Sequence, residues 1–354
     1  MISKRLNITS RVRDYEVSFV ADLRKALGSE RLSGAFLIID ADLPGAAAIK
    51  KLFTPNRVIS IKASEKSKTL EGCTVLIKNL TDRQFRRNDC IVAIGGGVIE
   101  DMVGFAATIL MRGVEWVFCP TTLLAQADSC IGGKSSINMG PYKNLLGSFY
   151  PPRKILIDLA FLKTLPEDQI RSGIGEILHF YLVAGQDKLA QQMMSGYAKY
   201  LKEPEKLQSF ILKSLAIKKA VIERDEFDKG ERLLFNYGHT FGHAIESVSG
   251  YKINHGQAVT MGMDIANYLS WRMGYIQKGT YVHLQKILRF NIPLFRPSRA
   301  QWPRFCEALS KDKKNIGKAL GCILTRGPGK MFKAQIPMDG PVALIREYFT
   351  ERRV

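Results

Sequence analysis

The chain has 354 residues, of which 46% are hydrophobic and 24% charged, a balance typical of a globular protein that buries a sizeable core and, at this length, of two domains. Lys and Arg number 52 against 33 Asp and Glu, so the formal net charge is +19. Such an excess indicates nucleic acid, a membrane surface or small anions as candidate partners. The apolar stretches, such as 155–162, are far shorter than the roughly 20 residues of a spanning helix, and the N-terminus has no apolar signal region. We therefore predict neither a transmembrane segment nor a secretory leader.

The six cysteines lie far apart and include no CxxC pair. Free thiols of this kind are typical of a reducing compartment, because disulfide frameworks form in oxidising ones. The cysteine pattern therefore predicts a cytoplasmic enzyme.

The first half of the chain alternates short apolar runs with helical stretches, which is typical of a parallel sheet covered by helices. The runs predict strands at 35–39, 57–62, 90–94, 115–119 and 154–158. Helices are predicted at 14–27, 46–53 and 101–110. We expect residues 1–165 to form a Rossmann-like domain.

From Pro166 onward, apolar residues recur at helical spacing over long segments that Gly and Pro interrupt. The predicted helices are 167–184, 188–201, 204–224, 238–249, 257–273 and 301–309. The expected fold class is therefore α/β, with a parallel-sheet domain over 1–165 and a mainly α-helical domain over 166–354.

A glycine turn follows the predicted strand at 90–94 and precedes a predicted helix. Gly95, Gly96 and Gly97 let the backbone approach a phosphate, and the helix presents free N–H groups and the positive end of its dipole to the anion. The spacing differs from GxGxxG. A nucleotide site and a purely structural tight turn therefore both remain open for this segment taken alone.

Three of the five histidines fall within seventeen residues. His239 and His243 lie four apart on a predicted helix and share a face, and His255 can return from a neighbouring helix. Glu176 is a carboxylate inside an apolar helix, which indicates a paired or metal-bound group. Imidazole and carboxylate ligands favour zinc or a similar divalent ion. Histidines satisfied within the helical core are the alternative, and the absence of HExxH disfavours a zincin-type protease.

The segment 121–147 is unusually rich in polar residues among glycines. Asp128, Lys134, Lys143 and Asn144 favour a loop that holds a nucleotide or a phosphate. A solvated surface loop is the alternative.

Taken together, these segments resemble the dehydroquinate synthase family, the NAD- and zinc-dependent sugar-phosphate cyclases. The resemblance runs in order over nearly the whole chain. It rests on the segments GGGVIEDMVGF, PTTLLAQADSCIGGKSSIN, KNLLGSFYPP, LIDLAFLKTLP, GIGEIL, RDEFDKGER, NYGHTFGHAIE and HGQAV.

The resemblance implies a Rossmann-like NAD-binding domain, a helical domain that binds zinc (or Co²⁺ or another divalent ion) and substrate, and usually a homodimer. It implies transient oxidation of the substrate by NAD, phosphate elimination, reduction and intramolecular aldol closure to a carbocycle. NAD would be recycled, and the partner would be a small sugar phosphate. The implied pathway is the shikimate route to aromatic amino acids.

Residue roles follow from the same resemblance. The implied metal ligands are Glu176, His239 and His255. The implied NAD contacts are Glu65, Lys68, Gly96, Gly97, Asp101, Thr121, Thr122, Lys143, Phe161 and Thr164. The implied catalytic positions are Asp128, Lys134, His179, Lys218, Arg232, Asn236 and His243. Further substrate contacts would be Arg112, which in the family reaches the partner subunit's site, Asn144 and Lys313 or Lys314.

Two retained residues bear on the substrate. Relatives acting on neutral sugar phosphates tend to depart at the positions of Arg232 and Asn236, so their presence favours a heptulosonate phosphate, which carries a carboxylate, or its amino analogue. Two departures from the family pattern bear on ordinary dehydroquinate synthase activity and allow a specialised-metabolism paralogue. His179 stands where the family has Lys, and Glu100 replaces a Gly and is expected to place a carboxylate near the pyrophosphate.

Three alternatives remain open. One is a cyclase of another sugar phosphate, making a valiolone or deoxy-scyllo-inosose, and another is an NAD- and metal-dependent polyol or glycerol-phosphate dehydrogenase. The third is a nucleic-acid-binding protein, which the dispersed basic residues disfavour because no basic stripe is interleaved with aromatics. We expect no nucleic-acid or membrane partner.

Overall fold

The structure is a computed structural model that describes residues 5–30, 32–140, 142–311, 315 and 319–351. It contains two compact units. The first unit comprises the chain up to Pro166 together with Glu203–Phe227. The second comprises Glu167–Lys202 and the chain from Asp228 onward. We describe each unit separately.

The first unit is built on a seven-stranded sheet. In chain order its strands are β1 (Arg5–Ile8), β2 (Tyr15–Val20), β3 (Phe36–Asp40), β4 (Val58–Ile61), β5 (Cys90–Gly95), β6 (Glu115–Pro120) and β9 (Lys154–Asp158). Their spatial order is β1-β2-β9-β6-β5-β3-β4, and β1 pairs antiparallel with β2 while every other pair is parallel. A hairpin of β7 (Lys134–Met139) and β8 (Tyr142–Phe149) forms a second sheet.

The helices of the first unit are α1 (Leu23–Ser29), α2 (Ala46–Lys50), α3 (Leu70–Asp82), α4 (Gly97–Ile109) and α8 (Gln208–Ile222). The central strands are continuous apolar runs, as expected for a parallel sheet covered on both faces. In β3, residues 36–39 are fully buried, and so are residues 91–94 of β5. These side chains form the core of the unit.

The strand order reverses between β3 and β5, because β4 lies on one side of β3 while β5 and β6 lie on the other. In open parallel sheets, ligands bind outside the carboxyl ends of the strands at such a switch point. Here those ends are Asp40 of β3 and the glycine turn after β5. The topology therefore selects this edge as the ligand edge of the first unit.

The five predicted strands are all present, and the parallel α/β sheet is confirmed. The predicted helix at 14–27 is wrong in its first part, because Tyr15–Val20 is a strand. Its sequence, YEVSFV, is rich in β-branched and aromatic residues, which favour strands. Asp22 then caps α1 by accepting from the backbone N–H of Arg24. The polar segment at 121–147 forms a short π-helical turn and the β7–β8 hairpin rather than a loop.

The helices of the second unit are α5 (Glu167–Val183), α6 (Asp187–Ser195), α7 (Tyr197–Lys202), α9 (His239–Val248), α10 (His255–Arg272), α11 (Lys278–Leu288), α12 (Trp302–Ser310) and α13 (Asp339–Glu351). The antiparallel strands β10 (Ala319–Thr325) and β11 (Met331–Pro337) complete it. Residues 258–270 of α10 are all buried, and α5, α9, α11 and α13 pack around that helix. None of the helices in the described ranges combines the length and apolarity that a membrane crossing requires.

The sequence places α8 in the second domain, whereas the structure packs it in the first unit. The Ser214 hydroxyl of α8 donates to the Ala127 carbonyl at 3.0 Å, and both groups are buried. The predicted division at residues 165 and 166 thus differs from the compact units in the segment Glu203–Phe227.

Candidate active site

Three side chains of the second unit converge on one point. His255 Nε2 lies 3.2 Å and His239 Nε2 3.9 Å from the same oxygen, Glu176 Oε1. One ligand atom from each residue lies within 4.8 Å of the other two. Two imidazoles and a carboxylate are the ligand set of many catalytic zinc sites, which keep a further coordination position for substrate or water. The structure thus brings together the three residues that the sequence analysis assigned to a metal.

Glycines allow the helices that carry these ligands to approach closely. A Cβ atom on Gly175, next to Glu176, would lie 2.0 Å from the Gly256 carbonyl oxygen, and one on Gly256, next to His255, would lie 1.8 Å from the Ser172 carbonyl oxygen. Real Cβ atoms essentially never come this close to another atom. The contact between α5 and α10 therefore requires glycine on both sides, and it places the Glu176 and His255 side chains together.

The α9–α10 contact uses the same device. A Cβ on Gly262 of α10 would lie 2.0 Å from the carbonyl oxygen of Gly238, which precedes His239. Gly238 itself has a φ of +81°, a conformation that favours glycine. The close approach sets the start of α9, and hence His239, against α10.

The hydrogen bonding around the three ligands fits a bound cation. His239 Nδ1 lies 3.3 Å from the Tyr237 carbonyl oxygen, and His255 Nδ1 lies 3.1 Å from Glu246 Oε2. Each ring can therefore donate through Nδ1 and present the Nε2 lone pair, as metal-bound histidines usually do. Among the described groups, none donates a well-formed hydrogen bond to Glu176 Oε1, although that atom is buried.

Two carboxylates dominate the electrostatics of His255. Burial alone would lower its pKa, but the charges of Glu246 and Glu176 outweigh burial and raise the pKa of His255 well above its ordinary value. The surroundings of the ring therefore favour positive charge, which a proton or a metal ion can supply. The donor set and the buried oxygen thus fit a divalent cation.

Two further histidines adjoin the cluster. His179 is buried, with Nδ1 3.6 Å from Glu176 Oε2 and its ring 5.0 Å from that of His239. It also packs against the rings of Phe180 and Phe235. His243 is exposed, and its ring stacks against His255 at 5.7 Å. The structure therefore places His179 on the buried side of the Glu176–His239–His255 cluster and His243 on the solvent side.

The remaining predicted residues of the second unit lie in the turn before α9 or outside the described residues. Arg232 is buried, and the Asn236 amide donates to the Leu233 carbonyl at 3.0 Å. Lys313 and Lys314, the late lysines of the resemblance, lie outside the described residues.

The glycine turn of the first unit lies at the switch point. Gly96 caps α4, which begins at Gly97, and Gly97 has no atom within 4 Å of where its Cβ would be. A Cβ on Gly96 would lie 2.8 Å from Thr122 Cγ2. The Thr121 N–H donates to the Gly95 carbonyl at 2.9 Å, so the turns after β5 and β6 lie side by side. The open helix N-terminus fits the pyrophosphate of a dinucleotide.

A polar cluster adjoins α4. The ammonium of Lys68 is 3.0 Å from Asp101 Oδ2 and 2.8 Å from Asn144 Oδ1. Glu65 Oε1 lies 3.6 Å from Lys68 Nζ and 3.7 Å from Lys143 Nζ. Burial raises the pKa of Asp101, against the opposing effect of Lys68. Five residues assigned to NAD or substrate thus form one network.

Lys218 and Asp128 form a second pair within the first unit. The ammonium of Lys218 lies 2.7 Å from Asp128 Oδ1 and 2.8 Å from the Asp128 carbonyl oxygen. Glu100 is buried beside this pair, and the Ser129 hydroxyl donates to Glu100 Oε2. Burial raises the pKa of Glu100 to about 8. The carboxyl that the sequence analysis expected near the pyrophosphate is therefore directed at Ser129 instead.

Four assigned residues of the first unit have other surroundings. Lys134 is exposed, with its ammonium 5.9 Å above the Phe149 ring. Arg112 is exposed in a turn where its φ is +66°, an unusual conformation for a non-glycine residue. Phe161 packs against the sheet core, and the exposed Thr164 donates to the Phe161 carbonyl at 3.3 Å.

Three residues of these clusters are not predicted from the sequence. Ser136 donates to Asp101 Oδ1 and Oδ2 through its backbone N–H and hydroxyl, and the Asn138 amide donates to Glu65 at 2.8 Å. Both alternate with Lys134 along β7, so a period-two pattern could have found them. Glu246 offers no such signal, because its contact with His255 joins two helices.

Comparisons with known proteins identify one family over most of the chain. The family model of the 3-dehydroquinate synthase N-terminal part matches residues 58–172, and the C-terminal model matches 173–315. A 3-dehydroquinate synthase of Dictyoglomus thermophilum is 39% identical over 77% of both chains. A second, of Sulfolobus acidocaldarius, is 38% identical over 80% of this chain and 81% of its own.

Solved structures share the fold. A 2-deoxy-scyllo-inosose synthase complexed with carbaglucose-6-phosphate, NAD⁺ and Co²⁺ has a TM-score of 0.86 and 26% identity, over 97% of this chain and 99% of its own. The valiolone synthase ValA of Streptomyces hygroscopicus also reaches 0.86, at 23% identity, over 98% and 99% of the two chains. A probable glycerol dehydrogenase of Sinorhizobium meliloti reaches 0.64 at 16% identity, over 95% of this chain and 97% of its own.

The matching family models and the 3-dehydroquinate synthase relatives define an enzyme of the phosphate-eliminating cyclase type. Within that class, the chain belongs to the 3-dehydroquinate synthase family.

Proposed function

We propose that this enzyme uses NAD and zinc to close a heptulosonate phosphate to 3-dehydroquinate, in the shikimate route. The observation that carries the proposal is the convergence of His239 and His255 on one buried carboxylate oxygen, that of Glu176. NAD-linked cyclases need a Lewis acid at the substrate hydroxyls, and these side chains are the ligands it would take.

The second unit would bind the metal through these three residues. When bound, zinc would supply a positive centre that acidifies a substrate hydroxyl. His179 packs behind Glu176 and His239 and would keep that side of the cluster dry. His243, on the exposed side, would face substrate and exchange hydrogen bonds with its phosphate or hydroxyls.

The first unit would bind the dinucleotide at the switch point. When bound, NAD would accept a hydride and return it, so that no net oxidation occurs. The α4 N-terminus would bind the pyrophosphate, and Thr121 and Thr122 would line the same edge. Asp40, at the end of β3, would accept a hydrogen bond from a ribose hydroxyl, as the acidic residue of dinucleotide folds does. For Phe161 and Thr164, contact with NAD is proposed from the family resemblance alone.

Basic residues would provide the substrate contacts. Lys134 and Asn144 would hold phosphate, as would Arg112 from a partner subunit and the late lysine Lys313. Lys218 would exchange its contact with Asp128 for substrate oxygens. We also propose a homodimer in the cytoplasm.

Arg232 would decide the substrate class, because a planar guanidinium binds a carboxylate through two parallel hydrogen bonds. It is buried, and burial strengthens such a contact. Asn236 lies one turn further on and would hold a neighbouring hydroxyl. The pair supports a substrate with a carboxylate.

A substrate comparison tests the proposal. Purified protein with NAD and Zn²⁺ is incubated with a heptulosonate phosphate, with a heptulose phosphate lacking the carboxylate, and with glucose 6-phosphate. We expect phosphate release and a carbocyclic product, identified by mass, from the heptulosonate phosphate alone. Arg232→Gln should raise KM for that substrate more than it lowers kcat. Turnover confined to either neutral sugar would assign the enzyme to another cyclase class.

A further inference from the structure

The ring of His255 lies between two carboxylates, only one of which belongs to the ligand set. Nε2 is 3.2 Å from Glu176 Oε1, and Nδ1 is 3.1 Å from Glu246 Oε2. The side chain of Glu246 is 16% exposed and comes from α9, whereas His255 begins α10. Glu246 thus contacts His255 at Nδ1, the ring nitrogen that is not directed at Glu176.

A neutral imidazole carries one proton, and the nitrogen that carries it cannot bind a metal. Since a carboxylate accepts hydrogen bonds and donates none when ionised, it fixes the proton of His255 on Nδ1. Nε2 is then the free donor atom, and it is the atom directed at Glu176. We propose that Glu246 is a positioning residue that orients His255 and strengthens its bond to the metal. This inference rests on the proposed function, because it concerns the same metal.

The second histidine ligand shows why this residue is distinctive. His239 reaches the same tautomer through a backbone carbonyl, that of Tyr237 at 3.3 Å from Nδ1. That acceptor is neutral and is itself fixed in the fold, because the Tyr237 ring is buried and its hydroxyl donates to Asn267. At Nδ1 of His255, by contrast, the acceptor is the charged carboxylate of Glu246. A negative partner makes the opposite nitrogen more basic, so Glu246 would tune affinity as well as orientation.

A competing arrangement uses the same ring. His243, Glu246 and His255 also bring ligand atoms within 4.8 Å of one another, which would place the ion on the Nδ1 side. The burial of Glu176 favours an ion on the Nε2 side of the His255 ring. Glu176 is 1% exposed, and its Oε1 atom has no well-formed hydrogen bond from the described groups, whereas His243 is exposed. A buried oxygen in this state is destabilising unless a cation compensates it.

The test measures metal affinity and not turnover. Metal-free protein is titrated with Co²⁺ at fixed pH against a chromophoric chelator, and the cobalt absorption spectrum is recorded. We expect Glu246→Gln to bind Co²⁺ about 10–100-fold more weakly than the wild type, with an altered spectrum, since outer partners of metal-bound histidines contribute this much. Glu246→Asp, which keeps the charge with a shorter reach, should lie between the two.

Glu307→Gln is the matched control. Glu307 is also a helical glutamate of the second unit, but it is exposed and pairs with Lys311. The Glu307→Gln variant should therefore bind Co²⁺ as tightly as the wild type. Thermal unfolding of each metal-free variant in excess chelator reports whether the fold is retained. If Glu246→Gln does not fold, Glu246→Asp carries the comparison.

Each outcome decides one point. Wild-type affinity in folded Glu246→Gln and Glu246→Asp would overturn the positioning role and leave the proposed function intact. Complete loss of Co²⁺ in Glu246→Gln, with retention in Glu176→Gln, would place the ion on the Nδ1 side and overturn it as well. A wild-type protein that binds no Co²⁺ or Zn²⁺ would instead overturn the metal dependence of the proposed function.

Discussion

The polar clusters of the two units balance charge in different ways. In the first unit, Lys68 lies against Asp101 and Lys218 against Asp128, so each ammonium already has a carboxylate. In the second unit, Glu176 and Glu246 surround two imidazoles, and no Lys or Arg pairs with Glu176 among the described ion pairs.

This difference indicates two kinds of binding. Under the proposed function, anions would bind to the first unit by replacing protein carboxylates beside Lys68 and Lys218, so binding there would rearrange existing contacts. In the second unit, several acceptors surround one buried oxygen, and a cation would compensate them. The following variants break or sharpen that contrast.

The largest effect is expected for Glu176→Ala. Removing the carboxylate oxygen near both histidines should abolish stoichiometric Zn²⁺ binding. The rate of phosphate release should fall at least about 10³-fold, because a Lewis acid contributes several kcal/mol to such a reaction. Metal content by mass spectrometry and a phosphate assay measure both. A variant that still holds one tightly bound ion per chain would show that Glu176 is not a ligand.

Glu100→Gln should remove a pH dependence of stability from the first unit. Burial raises the pKa of Glu100 from 4.5 to about 8, so between these values the unfolded chain loses this proton while the folded chain keeps it. The wild type therefore loses stability as pH rises through this window, by about 3 kcal/mol between pH 5 and 8. Glu100→Gln should gain on the wild type by that amount over the same range.

Urea unfolding at pH 5 and pH 8 measures this gain. Glu71→Gln is the control, because Glu71 is an exposed glutamate at the start of α3 whose pKa is lowered by its own backbone N–H and by Thr69. Its effect should be the same at both pH values. If the effect of Glu100→Gln is also the same at pH 5 and pH 8, Glu100 is ionised in the folded protein.

Lys218→Met and its neighbour Lys219→Met compare a buried with a partly exposed ammonium group. The side chains of Lys218 and Asp128 are 9% and 21% exposed, and those of Lys219 and Glu223 are 28% and 24% exposed. Loss of Lys218 leaves Asp128 without that cation and should lower the free energy of unfolding by about 2–3 kcal/mol. Loss of Lys219 should change it by less than about 1 kcal/mol. Chemical denaturation distinguishes these values, and equal losses would show that burial of the Lys218 ammonium does not strengthen its pair with Asp128.

Gly256→Ala tests the close packing that places the ligands together. The added Cβ would lie 1.8 Å from the Ser172 carbonyl oxygen, so α10 must shift away from α5. We expect a loss of about 2 kcal/mol in the free energy of unfolding and weaker Zn²⁺ binding. Gly279→Ala, in α11, meets no atom within 4 Å and should leave both quantities nearly unchanged. Wild-type Zn²⁺ affinity in Gly256→Ala would show that this contact does not set the ligand geometry.

Much of the fold could be predicted from local pattern. The strands β3, β5 and β6 are continuous apolar runs between turns, and such runs identify buried parallel strands. The strand at Tyr15–Val20 was misjudged because its apolar positions also fit a helical period, and its pairing with β9 joins residues far apart in sequence. The β7–β8 hairpin was missed because β8 is mostly exposed and its apolar residues do not alternate with polar ones.

The site could be predicted only as far as spacing reaches. Spacing places His239 and His243 on one helix face, but burial decides between them: His239 is 16% exposed and converges with Glu176, whereas His243 is exposed. The role of Glu246 depends on how α9 packs against α10, which is set by Gly238 and Gly262. Contacts between helices are not encoded in any local pattern.

The most direct test of the account is a simultaneous record of phosphate and of absorbance at 340 nm during turnover of the heptulosonate phosphate, with NAD at a concentration below that of the substrate. We expect one phosphate released per substrate consumed, many turnovers per NAD, and no net NADH. Phosphate-free turnover that stops when NAD is exhausted, with NADH equal to product, would contradict it and identify a dehydrogenase.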